Sequence, residues 1–320
     1  MKDISSLTDF YYRTLFPTLH ELEKDRKNLR HRIIVVGIIY SLIFVFITFS
    51  FSAVIAQSPD TIIFIAFIYF ALGTVIYKFL IKDYTHEFKQ GVIGPLIHAI
   101  DDKLSYNSKH CLSEHLFNRS DLFTKPDRIG GNDYVRGNID GTKIEFSDLH
   151  AEKRHKNSKG KESWSTIFKG LFIVAEFNKN FSGKTIILPD TAQNTFGNFI
   201  GAWLQSNNLS RDELVKMDDN NFEREFVVYS SDQIEARYIL SHVLMKKLLF
   251  FKEKSKHPIY ISFIGNHIHM AIYYDKDLFE PSIFRSLLEY KIAMEYVKTL
   301  HLAIGIVDEL KLNQKLWSKQ

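Results

Sequence analysis

IIVVGIIYSLIFVFITFSFSAVIA (Ile33–Ala56), then QSPD (Gln57–Asp60), then TIIFIAFIYFALGTVIY (Thr61–Tyr77): two apolar runs without a charged side chain, set either side of four residues, decide how this chain is organised. The first run has 24 residues and the second 17, which as helices reach about 36 and 26 Å against a hydrocarbon core of about 30 Å. The second becomes long enough if Lys78 snorkels and Phe79-Leu80-Ile81 complete it, since a lysine stem stays in lipid while its ammonium reaches the headgroups. Pro59 suits the turn and would disrupt either helix. A pair of helices buried in a soluble core is the alternative, but Ile33–Ile39 presents no polar face. A cleaved signal peptide fits poorly, because 32 residues precede the first run and the run exceeds an ordinary signal core.

Flanking charge orients the pair. Lys24, Arg26, Lys27, Arg30 and Arg32 precede it, Lys78, Lys82 and Lys89 follow it, and the connecting residues carry no cation. By the positive-inside rule both termini face the cytoplasm, which places the chain in the cell (inner) membrane as a multi-pass protein. The single cysteine, Cys111, cannot form an intrachain disulfide and suits a reducing compartment. Its plain reading is a small buried apolar residue rather than a nucleophile.

The rest of the chain has the composition of a folded, water-facing domain: 27 Phe and 15 Tyr supply apolar area, and 24% charged residues supply a solvated surface. A net charge of +4 is too small for the basic field that nucleic-acid binding requires. Ahead of the membrane, Leu7, Phe10, Tyr11, Leu15, Leu19 and Leu22 fall on one helical stripe. Glu21, Glu23 and Asp25 dilute the cationic face of a lipid-surface helix, so docking on the soluble domain or on a second subunit is the favoured use. Residues 82–104 read as a helix continuing from the second span and interrupted near Gly94-Pro95; residues 105–130 read as irregular.

From Asn132 the period becomes two. Val135 and Ile139 lead to Asp140-Gly141, a two-residue hairpin signal, and Thr142, Ile144 and Phe146 lead away. Gly170–Phe177 and Thr185–Leu188 read as a further pair of strands. Phe226–Tyr229 is a strand, and Ile259–Ile264 with His267–Tyr274 flank a second hairpin dipeptide, Gly265-Asn266. Asp232 with Glu235 has capping-box spacing before a short helix; Ser241–Lys254 reads as a helix, Pro281-Ser282 as the opening of another, and Ile292–Trp317 as a long closing helix. The class is α+β: an amphipathic helix (1–32), a transmembrane helical hairpin (33–81), a connector (82–130) and a mainly antiparallel sheet domain with packed helices (131–320).

Phe168–Lys179, Gly183-Lys184-Thr185 with Leu188-Pro189-Asp190, Glu225–Ser230 with Asp232–Tyr238, and Leu278–Ser282 resemble the bacterial family filed as domain of unknown function 3137. The resemblance extends over nearly the whole chain, membrane hairpin included. It implies a bacterial membrane protein with a cytosolic domain and carries over no catalytic residue, because the family has no established activity.

Candidate chemistry is sparse. His267 and His269 point to one face of a strand, but two ligands are too few for zinc and spacing indicates no third; His150 and His155 fare no better. Asp218-Asp219 beside Asn220-Asn221 lack the ligand pattern of a calcium loop and read as a polar turn. Asn178-Lys179-Asn180 with Lys184 suggest a phosphate site, yet no glycine-rich turn opens a helix there. Asp232, Glu235 and Arg237 fit a helix start, and no nucleophile motif is present. No catalytic, cofactor-binding or metal residue is assigned and no cofactor is expected. The one site assigned is the cationic stretch Lys153, Arg154, Lys156, Lys159 and Lys161, read either as a solvated hairpin loop or as a contact for an anionic surface, where each cation contributes about 1 kcal/mol.

Two function classes stand: a membrane-anchored interaction or regulatory module of unidentified ligand, and a membrane-bound enzyme with a dispersed active site. The first is preferred, with the bilayer and a protein partner or second copy as partners and no nucleic acid. Two spans without an internal charge offer no transport pathway unless many subunits assemble.

Overall fold

The computed structural model describes residues 10–58, 60–158, 160–177, 180–190 and 213–309. Leu7, Pro59, Lys159, Asn178-Lys179 and the expected helix beyond Glu309 lie outside them. The chain divides into two compact units: residues up to Leu96 together with Glu280–Glu295, and Ile97–Phe279 together with the chain from Tyr296.

In the first unit a π-helical turn, Tyr11–Leu15, leads into α1 (Phe16–Ser50), so the amphipathic segment and the first apolar run form one continuous helix. The run breaks at Phe51 and resumes as the short α2 (Ser52–Gln57); α3 (Asp60–Phe88) carries the second run. Both long helices are apolar and long enough to cross a membrane, and no residue of their most apolar stretches is buried, unlike the core helix of a soluble protein. They pack through stacked Tyr40 and Tyr69 rings, 4.5 Å apart, with Tyr40 Oη donating to the Tyr69 carbonyl at 2.8 Å.

After Phe88 the helix continues as a π-turn, Lys89–Ile93, and then as α4 (Gly94–Ile100). Pro95 explains the π-turn: its ring collides with the carbonyl four residues back and it has no N–H to give, so one wider turn absorbs the misfit. Of the N-terminal stripe, Leu15, Leu19 and Leu22 are buried within this unit and Phe10 is half-buried, and α1 packs along the Lys89–Ile93 turn. Beneath it Arg26 donates twice to Glu23 at 2.7 and 2.8 Å, and again to the Ile283 carbonyl at 2.6 Å, while Glu23 accepts from Leu287 N at 3.0 Å. The guanidinium holds the Glu23 carboxyl below its ordinary range against the opposing effect of burial. Here one expectation fails. Pro281-Ser282 open no helix, and bends and turns run to Tyr290 because backbone groups of this segment are taken by the Glu23–Arg26 pair.

Among the described residues the second unit holds a nine-stranded sheet. After β1 (Ser105–Asn107) and α5 (Glu114–Arg119), both within a stretch expected to be irregular, come β2 (Arg128–Ile139), β3 (Thr142–Lys156), β4 (Glu162–Glu176), β5 (Lys184–Pro189), β6 (Glu213–Val215), α6 (Asn220–Glu223), β7 (Phe226–Ser230), α7 (Gln233–Ile239), α8 (His242–Ser255), β8 (Ile259–Ile264) and β9 (His267–Tyr273). α9 (Tyr290–Glu309) begins in the first unit and continues in the second. The order is β1-β2-β3-β4-β9-β8-β5-β7-β6, and every neighbouring pair is antiparallel.

Both expected hairpin turns form. Asp140 (φ 48°) and Gly141 (φ 88°) both take positive φ, as a type I′ turn requires, and Gly265 takes φ 60° at the first turn position between β8 and β9. The expected pairing of β4 with β5 does not form, because β9 and β8 lie between them. Apolar runs on the central strands follow from burial on both faces. Phe168, Phe172, Val174, Ile186 and Ala271 lie in one cluster with Phe117 and Leu122, while the alternate residues Ile173, Met270, Ile261 and Ile187, aligned across four strands, are buried as well.

Candidate functional site

The first part of the expected cationic loop is strand: Lys153, Arg154 and Lys156 close β3, and Glu162 starts β4. The turn is set by Asn157, whose Oδ1 accepts from Lys161 N at 2.9 Å, and by Gly160 at φ 78°. β9 pairs with β4 only from Gly170 onward, so β3 and β4 continue beyond it as a ribbon.

Two of the cations are already matched. Lys153 lies 3.5 Å from Asp127 and donates to the Lys125 carbonyl at 3.0 Å; Arg154 lies 3.5 Å from Glu162. Lys156 and Lys161 are exposed and form no ion pair among the described residues, and Lys159 lies outside them. The structure adds an aromatic that the sequence did not single out. Trp164 stands opposite Arg154, is 43% exposed, and carries the Arg128 guanidinium 4.3 Å above its ring, while Arg128 also pairs with Glu152 at 2.5 Å. A tryptophan amid Lys and Arg at the tip of a ribbon is the composition of an interfacial anchor, with an apolar body and a polar rim. His150 and His155 pair across the ribbon with Thr166 Oγ1 at 3.0 Å and Ser165 Oγ at 2.7 Å.

Further along β3 is Asp148. Ile144, Phe146 and Asp148 share a strand phase and all three are buried, so a carboxylate occupies a position that the alternation assigns to the core. It accepts from Leu278 N at 2.7 Å. Burial pushes its pKa up to about 7; the Leu278 N–H and Lys169 oppose this, while Asp277 and Asp133 reinforce it. A cleft of about 390 Å³, lined by Arg128, Gly130, Gly131, His150 and Asp277, opens onto it. Lys169 closes an ion pair with Asp277 at 2.8 Å.

The other sequence candidates resolve locally. His267 and His269 share a face with rings 6.1 Å apart, and His267 Nδ1 and His269 Nε2 are buried without a hydrogen-bond partner among the described residues. Burial, the neighbouring His267 and Arg119 hold His269 down to about 3. Among the described residues no three His, Cys, Asp or Glu side chains come together as metal ligands. Asp219 caps α6, accepting from Asn221 N at 2.9 Å and Phe222 N at 3.1 Å. Asp232 caps α7 as expected, accepting from Ile234 N and Glu235 N, but Glu235 does not close the box. Its carboxylate instead accepts from Ser182 N at 3.0 Å and Gly183 N at 2.8 Å. That occupies the backbone donors a phosphate beside Lys184 would need, and a Cβ on Gly183 would stand 2.5 Å from Ser231 Oγ. Cys111 is half-buried, and burial pushes its thiol pKa up, away from nucleophile chemistry.

No curated protein matches this chain. Among solved structures, the crystal structure of the mycobacterial trehalose monomycolate transport factor A, TtfA, aligns over 66% of this chain and 93% of that one at 11% identity and a TM-score of 0.35, a likeness too loose to carry an argument. Residues 166–312, from within β4 past the last residue of α9, match the model of the family described as protein of unknown function (DUF3137), so the resemblance read from the sequence holds over that stretch.

Proposed function

We propose that the chain is a membrane-anchored interaction or regulatory module: α1 and α3 cross the inner membrane as a hairpin with both termini cytoplasmic, and the sheet unit works at the cytoplasmic face on a partner or ligand. The observation that carries this is the pair of long helices with wholly unburied apolar stretches and cations on one flank only. Within the module, the β3–β4 ribbon is the element that meets an anionic surface through Lys153, Arg154, Lys156, Lys159 and Lys161. Trp164 seats its apolar body there, and the attraction is screened by salt.

The test is amide exchange across Glu152–Thr166 of the full chain in nanodiscs. Exchange is expected to slow in anionic discs relative to zwitterionic ones, and to recover when all five cations become Gln. Equal exchange in the two lipids would remove the ribbon from the reading. Asp148 alone favours the second reading, a membrane-bound enzyme, because a cleft carboxyl near neutrality is equipped to move a proton. Any turnover found would have to be lost in Asp148→Asn; turnover unaffected by that change argues against this site.

A further inference from the structure

α8 carries apolar side chains on both faces. Ser241 caps it, and Leu244, Met245, Leu248 and Phe251 face the core. On the opposite side, at three- and four-residue steps, stand Val243, Lys246 and Phe250, with Val243 63% and Phe250 53% exposed. The Lys254 ammonium lies 5.9 Å from the centre of the Phe250 ring. From His242 to Lys256 there are five lysines and one acid, Glu253.

From this face we propose that α8 docks on an anionic bilayer, sinking Val243 and Phe250 below the headgroups while Lys246 and Lys254 meet lipid phosphates. Charge complementarity selects the occupant. The buried centre of a protein interface is depleted in lysine, whereas a bilayer accepts lysine and phenylalanine side by side, each at its own depth. Position agrees. Ile259, which follows α8, aligns with Ile272 and Leu171, and the ribbon continues from Leu171 away from the sheet, so the C-terminal end of α8 and the ribbon leave the sheet at the same end. The proposal rests on the chain's membrane anchorage, and the positional agreement alone rests also on the ribbon's contact.

It is tested in the full chain by attaching an environment-sensitive dye to Glu253→Cys in a Cys111→Ala background, reconstituted at one copy per nanodisc. Phosphatidylglycerol-containing discs should give blue-shifted emission and quenching by brominated acyl chains, and phosphatidylcholine discs should give neither. Val243→Ser with Phe250→Ser should abolish both signals without lowering the melting temperature, because both side chains are exposed. Absence of quenching in anionic discs, equal quenching in both lipids, or a signal that survives the double substitution overturns the proposal. So does a signal that requires two copies in one disc, which would assign the face to a second chain. Failure to enter discs at all would strike the anchorage reading itself.

Discussion

At the scale of single residues, Asp148 ties stability to pH. Its folded pKa of about 7 lies above the ordinary value of about 3.9. Between those limits the native chain holds a proton that the unfolded chain has released, so stability falls as pH rises through that window and levels off above it. Asparagine cannot ionise and keeps an oxygen for Leu278 N. Asp148→Asn should therefore raise stability at pH 8, by at most about 4 kcal/mol, and leave it unchanged at pH 4. Denaturant titration of the solubilised chain at the two pH values measures this. A loss at pH 8 would show that the ionised carboxylate is wanted there. The alternation of Thr142, Ile144 and Phe146 points on to position 148, but a carboxylate there reads as solvent-facing until its partner Leu278, 130 residues away, is placed.

Among the elements, α7 shows how a local signal becomes a long-range one. Asp232 makes the expected cap, but Glu235 ties the helix to the entry of β5 through two backbone N–H groups. Glu235→Ala gives the exposed Ser182 N–H to water and takes the acceptor from the half-buried Gly183 N–H, so it should cost about 1 kcal/mol, comparable to the roughly 1 kcal/mol of Asp232→Ala. Melting temperatures of the two variants decide this, and a Glu235→Ala variant that melts with the unsubstituted chain would mean that the tie carries no energy. The same contrast explains which elements were readable. Asp140-Gly141 and Gly265-Asn266 fix their hairpins through the φ values of adjacent residues, and Ser241 fixes a helix start, so neighbouring sequence suffices. The separation of β4 from β5 depends on β8 and β9 arriving from later in the chain, and the failed helix at Pro281 depends on Glu23 and Arg26 from far earlier. In the ribbon the cations were legible one by one; the seat of Trp164 under Arg128 required the cross-strand register.

For the molecule as a whole, the proposed sidedness rests on cation asymmetry. In a Cys111→Ala background, Ser58→Cys should react with an impermeant thiol reagent in intact cells and Ser158→Cys should not; the reverse pattern would invert the topology. The ribbon also bears on how copies of this chain coexist. Among the described residues, Glu162–Thr166 pair with β3 alone, which leaves one side of β4 as an open row of backbone donors and acceptors. An open strand edge is a template for pairing with any neighbouring chain, and the cations beside it, on β3 and on the turn that joins β3 to β4, keep such neighbours apart. In the proposed anchored state copies of the chain share a plane and meet often, so Lys156, Lys161 and their neighbours would guard the edge even without a bound lipid, and their removal would be felt first as clustering of the protein.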